Sequence, residues 1–126
     1  IHLGMLGDGL AAALRSDGSV VSLSEDKAHG FSNITAALSP NVSPKEWRYF
    51  SLPEEECLAV LLCTDGVADD LDNVEGFVSS FIEAHCSIAE ISANRRTREM
   101  LEKWPTPKHS DDKTIACLCR EEVPDA

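Results

Sequence analysis

The sequence predicts an α+β fold, mainly antiparallel β-sheet packed with flanking α-helices, in a single domain. Three observations predict it. Short apolar runs of strand length alternate with Gly, Asp and Pro punctuation over residues 1–63. Apolar residues then recur at helical spacing in two later stretches, from Val74 to His85 and from Ile88 to Trp104. The third observation is a reversal of order. Leu58 to Cys63 is an apolar run that ends in Thr64, Asp65 and Gly66, whereas Ser110, Asp111, Asp112, Lys113 and Thr114 lead into the apolar run Ile115 to Cys119. If these two strands are antiparallel neighbours, both acidic ends meet at one edge of a sheet.

In chain order, Ile1 to Leu6 and Leu10 to Leu14 read as strands separated by Gly7, Asp8 and Gly9. Ser16, Asp17 and Gly18 turn the chain into a third strand, Ser19 to Leu23, giving an antiparallel meander. The stretch from Ser24 to Pro53 is polar, with a capping-box spacing at Ser43, Pro44 and Glu46 and a short strand at Arg48 to Leu52. Trp47, Tyr49 and Phe50 read as packing residues. The unbroken apolar run from Leu58 to Cys63 has the pattern of a strand buried on both faces. Val74, Phe77, Val78, Phe81, Ile82 and His85 then form a helical stripe, and Ser87 with Glu90 opens a second helix that reaches about Lys103 before Pro105 and Pro107.

Composition sets the outer bounds. The 126 residues, 43% hydrophobic, suffice for one modest core. With 22 acidic against 11 basic residues the net charge is -11, which argues against nucleic acid or an anionic membrane as partner. No apolar run approaches the length of a membrane span. The five cysteines are odd in number and lie mostly in or beside apolar strand runs, which predicts reduced core residues and, with them, a cytoplasmic setting.

Asp65 stands where a buried strand runs out, with a rigid mount behind it and open space in front. Asp69, Asp70 and Asp72 follow closely, so several hard oxygen donors gather near one point, suited to Mg²⁺ or Mn²⁺. Asp-Gly after a strand is equally a turn signal, and Asp70, Asp72 or Asn73 could cap the helix near Val74; both readings stand at this level. An EF-hand is excluded, because counting from Asp65 places Val67, Asp70 and Gly76 where its loop needs an acid or amide, a Gly and a Glu. Arg95, Arg96, Arg98, Lys103, Lys108 and His109 form the basic concentration of the chain, read as a solvated helix face or as an attractant for a phosphorylated substrate.

The segment Thr64 to Leu71 resembles the Asp-Gly-x-x-Asp segment of the metal-dependent protein phosphatases, the type 2C serine/threonine (PPM) family, and Ser110 to Leu118 resembles that family's closing acidic segment. Leu3 to Asp26 is similar to its Gly-Asp hairpin, and Gly30 to Pro40 to an Asn-x-Thr segment of the bacterial-type branch. The resemblance implies part of an α/β/β/α sandwich and hydrolysis of phosphate monoesters on a phosphorylated protein substrate by two, possibly three, Mg²⁺ or Mn²⁺ ions. It implies Asp65 and Asp111 as ion ligands and catalytic residues, Asp69 and Asp8 as outer or third-ion ligands, Asp112 as a group that orients water, and Thr114 as a stabiliser of the turn through its hydroxyl. His109 would be a candidate proton donor. The family's first-half Asp-Gly-x-Gly segment has no counterpart here, so residues 1–126 are expected to be a single partial domain, the C-terminal half, with the N-terminal half of the same domain as its partner. A non-catalytic regulatory module of the same fold is the alternative.

Overall fold

The computed structural model describes residues 1–24, 38–105 and 111–121. Strands β1 (His2–Met5), β2 (Leu10–Arg15), β3 (Val20–Ser24), β4 (Arg48–Ser51) and β5 (Cys57–Cys63) precede helices α1 (Asp65–Ala68), α2 (Val74–Cys86) and α3 (Glu90–Glu102), and strand β6 (Ile115–Cys119) follows them. The class is α+β, as expected. A four-stranded antiparallel sheet runs in the order β3-β2-β5-β6, and β1 pairs with β4 in a separate antiparallel ribbon.

The expected meander is corrected at its first strand. β1 does not continue into β2's sheet, because Gly7 (φ 90°) and Gly9 (φ 110°) turn the chain through left-handed backbone that other residues resist. A Cβ at Gly9 would also stand 2.7 Å from the Cys63 carbonyl oxygen. The Asp17–Gly18 hairpin forms where the sequence places it. Ser19 donates from its hydroxyl and its amide to Asp17 Oδ1, at 2.6 and 2.9 Å, and these bonds hold the Asp17 carboxyl below its ordinary range.

Each face of the larger sheet has its own packing partner. Leu10, Ala12, Ala59, Leu61 and Cys63 pack against Val78, Phe81 and Ile82 of α2, with Met100, Leu101 and Trp104 closing one side. On the opposite face a smaller cluster joins Ala13 and Cys57 to Leu52, flanked by Leu3 and Phe50 of the β1–β4 ribbon. The run Ala11 to Ala13 is buried, and its small side chains let both layers approach the centre of the sheet. Cys57 reaches the ribbon side because the register shifts between Leu14 and Arg15.

β5 is therefore not buried on both faces along its length. Leu58 is 41% and Leu62 45% exposed, and Leu118 on β6 is 76% exposed. The ribbon is too narrow to cover them, and no other described element lies over that face.

α2 begins at Asn73, whose Oδ1 accepts the Gly76 N–H at 2.9 Å, so Asn73 is the cap among the candidates. The Ser43–Glu46 capping box forms around a single 3-10 turn. The Ser87–Glu90 box does not: Ala89 precedes α3 without a side-chain cap, and the Ser87 hydroxyl donates back to the Glu83 carbonyl at 3.1 Å. Phe50 packs inward, but Tyr49 is exposed and stacks on Trp47 at 6.1 Å. The cysteine expectation is corrected as well, since Cys86 and Cys119 form a disulfide while Cys57, Cys63 and Cys117 are free. The pair forms because α2's last residue meets β6's last residue with Cα atoms 5.6 Å apart. It removes the basis on which a reducing compartment was inferred. Among the described residues no helix is long and apolar enough to cross a membrane.

His85 is buried at the end of the α2 stripe, stacked on Phe81 with its Nδ1 donating to the Phe81 carbonyl at 2.7 Å. Its Nε2 is buried without a hydrogen-bond partner among the described residues. His85→Phe removes the Nδ1 bond to the Phe81 carbonyl, worth about 1 kcal/mol, together with an Nε2 desolvation penalty of about the same size, so the urea unfolding midpoint is expected to change little; a large fall would show that the Nδ1 bond outweighs the buried nitrogen. Burial also pushes the Cys63 thiol up to about 12. Between an unfolded value near 9 and that folded value the unfolded chain releases a proton the folded chain keeps. Stability from this group is thus complete below that window and falls as pH rises through it, by at most about 1.4 kcal/mol per pH unit. Urea midpoints at about pH 8 and about pH 10 should separate less in Cys63→Val than in the parent chain.

Candidate metal centre

The register of the large sheet decides which loops meet. Leu10 opposes Cys63, and Cys63 opposes Ile115, so the start of β2, the end of β5 and the start of β6 share one rim. The ladder continues past the strands: Thr64 N–H donates to the Thr114 carbonyl at 3.1 Å, and Thr114 N–H donates to Thr64 Oγ1 at 3.0 Å. The same Thr64 hydroxyl donates to the Asp112 carbonyl at 3.2 Å. One side chain thus pins the acidic segment before β6 to the acidic turn after β5. The stabilising hydroxyl belongs to Thr64; Thr114 contributes its backbone.

Gly66 makes the approach possible. A Cβ there would run into the Asp112 carbonyl and stand 3.2 Å from that of Asp111. Asp65, the first residue of α1, therefore has its backbone directly beside the Asp111–Asp112 segment. Its Oδ1 accepts the Gly66 N–H at 2.9 Å. On the other side, a Cβ at Gly9 would be 3.8 Å from the Asp65 nitrogen, which sets Asp8 next along the same rim. Neither Thr64 nor Gly66 was singled out as a site residue from sequence. The Thr-Asp-Gly run carried a turn signal, and the cross-strand contact that gives both residues their role is not local.

Four of the candidate acids divide between two recesses, and Asp65 lines neither. Asp8 and Asp69 line a hollow of about 260 Å³ with Gly9, Ser24 and Val74. Asp111 and Asp112 line an open cleft of about 580 Å³ against α3, where Thr97 and Arg98 form the facing wall. Asp70 accepts a hydrogen bond from Trp104 Nε1 at 3.0 Å and ties the acidic turn to the end of α3. Among the described residues no trio of carboxylates has oxygens within 4.8 Å of one another; the trio that does converge so closely is Cys86, Cys117 and Cys119. The donor chemistry on the rim suits a hard divalent cation, but among the described residues the acids do not close into a coordination shell.

The basic residues of α3 behave mainly as a solvated face. Arg95, Arg96 and Arg98 are exposed; Arg96 donates to the Ala84 carbonyl at 2.9 Å and Arg98 pairs with Glu102 at 2.9 Å. Lys113 Nζ donates to the Asp111 carbonyl at 3.0 Å. Lys108, His109 and most of the Gly30–Pro40 segment lie outside the described residues.

A sequence profile described as Protein phosphatase 2C matches residues 1–104. The chain belongs to the protein phosphatase 2C family. No curated protein and no solved structure matches it. The family match takes in Asp8, Asp65 and Asp69 and stops before Asp111. In this phosphatase 2C chain, what joins Asp111 to the rim is the β5–β6 register and the Thr64 bonds. Removing the Thr64 hydroxyl in Thr64→Val leaves the Asp112 carbonyl and Thr114 N–H without that partner, at an expected cost of about 1–2 kcal/mol. Hydrogen exchange at the Thr114 amide should accelerate with it; unchanged exchange there would mean the pin is not what holds the segment.

Proposed function

We propose that this chain is the C-terminal part of a metal-dependent phosphoprotein phosphatase that hydrolyses serine or threonine phosphate esters. The observation that carries the reading is the meeting of the Asp65 and Asp111–Asp112 segments on neighbouring strand ends, in a chain of the phosphatase 2C family. Asp65 and Asp111 would hold Mg²⁺ or Mn²⁺, with Asp69 and Asp8 as outer or third-ion ligands. When bound, such ions lower the pKa of water and offset charge on the phosphoryl oxygens. Asp112 orients water at the rim. Arg98, on the cleft wall facing Asp111, offers a guanidinium to a phosphate oxygen.

Charge explains why these residues are not sufficient alone. Two divalent ions bring about four positive charges, and Asp65 with Asp111 offset about half of them. The rest would come from an N-terminal half of the domain. Its docking surface in this reading is the open sheet face at Leu58, Leu62 and Leu118, where covering each large side chain contributes about 1.5–3 kcal/mol. A phosphorylated protein is the proposed substrate. That no three carboxylates among the described residues have oxygens within 4.8 Å of one another favours one competing reading, a non-catalytic regulatory module that keeps the fold without its ions.

The test uses the coding sequence extended upstream of Ile1, assayed on a phosphopeptide with and without Mn²⁺. Mn²⁺-dependent turnover is expected, and Asp65→Asn should bring it to background. Full activity in Asp65→Asn would falsify the assignment, whereas an extended chain without any Mn²⁺ response would establish the regulatory module. The chain from Ile1 to Ala126 by itself should bind Mn²⁺ weakly and turn over little substrate.

A further inference from the structure

Three of the five cysteines meet at the end of the sheet away from the acidic rim. Cys117 and Cys119 are two positions apart on β6, so both point to one face of the strand. Cys86, the last residue of α2, comes over that face. The Sγ atoms all lie within 4.8 Å of one another, and Cys117 Sγ is 3.9 Å from Cys86 Sγ and 3.9 Å from Cys119 Sγ. A disulfide accounts for two of these sulfurs. It gives no reason for a third at equal distance from both.

Tetrahedral coordination does give one. Zinc–sulfur bonds of about 2.3 Å hold their sulfurs about 3.8 Å apart, which is the spacing Cys117 already has to each neighbour. The sulfurs also border a cavity of about 720 Å³, and exposed Cys119 leaves an entry path and room for a solvent molecule as fourth ligand. We propose that, once the Cys86–Cys119 bond is reduced, Cys86, Cys117 and Cys119 form a three-thiolate site for a soft divalent cation of the zinc type. Thiolate sulfur selects such ions over Mg²⁺ or Mn²⁺, so this site and the carboxylate rim take different metals.

The chemistry balances in two steps. A dithiol reductant supplies two electrons and two protons, becomes a disulfide itself, and leaves Cys86 and Cys119 as thiols. Binding one divalent cation then forms three metal–sulfur bonds and releases three thiol protons to solvent. Either covalently or through the metal, α2 stays fastened to β6, the strand whose other end carries the Asp111 segment. The inference does not rest on the phosphatase reading, because the sulfurs and the rim are separate sites.

The experiment takes the whole chain, reduced with a dithiol and desalted without oxygen, and titrates it with Co²⁺. One Co²⁺ per chain is expected, with the intense visible bands of tetrahedral thiolate coordination, bleached when Zn²⁺ is added. Cys117→Ser should lose those bands and Cys57→Ala should keep them, since Cys57 packs in the other cluster. Circular dichroism of each variant checks its fold. Mapping alkylated cysteines by mass gives a readout independent of the variants: Zn²⁺ should shield Cys86, Cys117 and Cys119 of the reduced parent chain. Absence of the bands in the reduced parent, their persistence in folded Cys117→Ser, or unchanged alkylation of all three residues would each overturn the proposal.

Discussion

The arrangement depends on one hydroxyl group. Thr64 Oγ1 accepts from the Thr114 amide and donates to the Asp112 carbonyl, so a single side chain at the end of β5 fixes the path of the segment leading into β6. Gly66 completes the constraint by leaving that segment room to lie against the chain. Separations of 48 and 50 residues are bridged by these bonds, across both longer helices. Ordering so long a loop costs entropy, and the return comes from the five-pair β5–β6 ladder that the bonds extend.

The layers around the sheet are unequal, and the inequality bears on function. Helices α2 and α3 cover one face with a cluster that includes Val78, Phe81 and Ile82, while the β1–β4 ribbon covers only part of the other. Exposed leucines at 58, 62 and 118 share the remainder. A sheet face of this kind is exposed to water at a hydrophobic cost. The carboxylates follow the same pattern: Asp8, Asp65 and Asp111 stand on successive strand ends, with their charge concentrated toward one rim. The proposed function draws on both, the apolar face as a docking area and the acidic rim as a cation site.

Much of this was legible in the chain. The strand-then-acid and acid-then-strand order of residues 58–66 and 110–119 foretold an antiparallel pair, and the β5–β6 register bears that out. The α2 stripe from Val74 was equally clear, because its period is local. Burial of β5 was misread, since an all-apolar run looks the same whether one face or both are covered. β1 was placed in the wrong sheet because nothing in residues 1–24 reports that Arg48–Ser51 is its partner. The Cys86–Cys119 bond escaped notice for the same reason: its residues lie 33 apart and meet only through the α2–β6 contact. Thr64 illustrates the limit of local pattern most plainly. Its neighbours announced a turn, but its own role exists only across the sheet.

The central claim is that hard cations are drawn to the rim shared by Asp65 and Asp111. Paramagnetic broadening of backbone amide signals by substoichiometric Mn²⁺ tests it directly, because it locates even a weakly held ion. The account predicts selective loss of the Gly66, Asp111, Asp112 and Gly9 amide signals before any others. Broadening spread evenly over the acidic surface, or centred at a position remote from that rim, would contradict it.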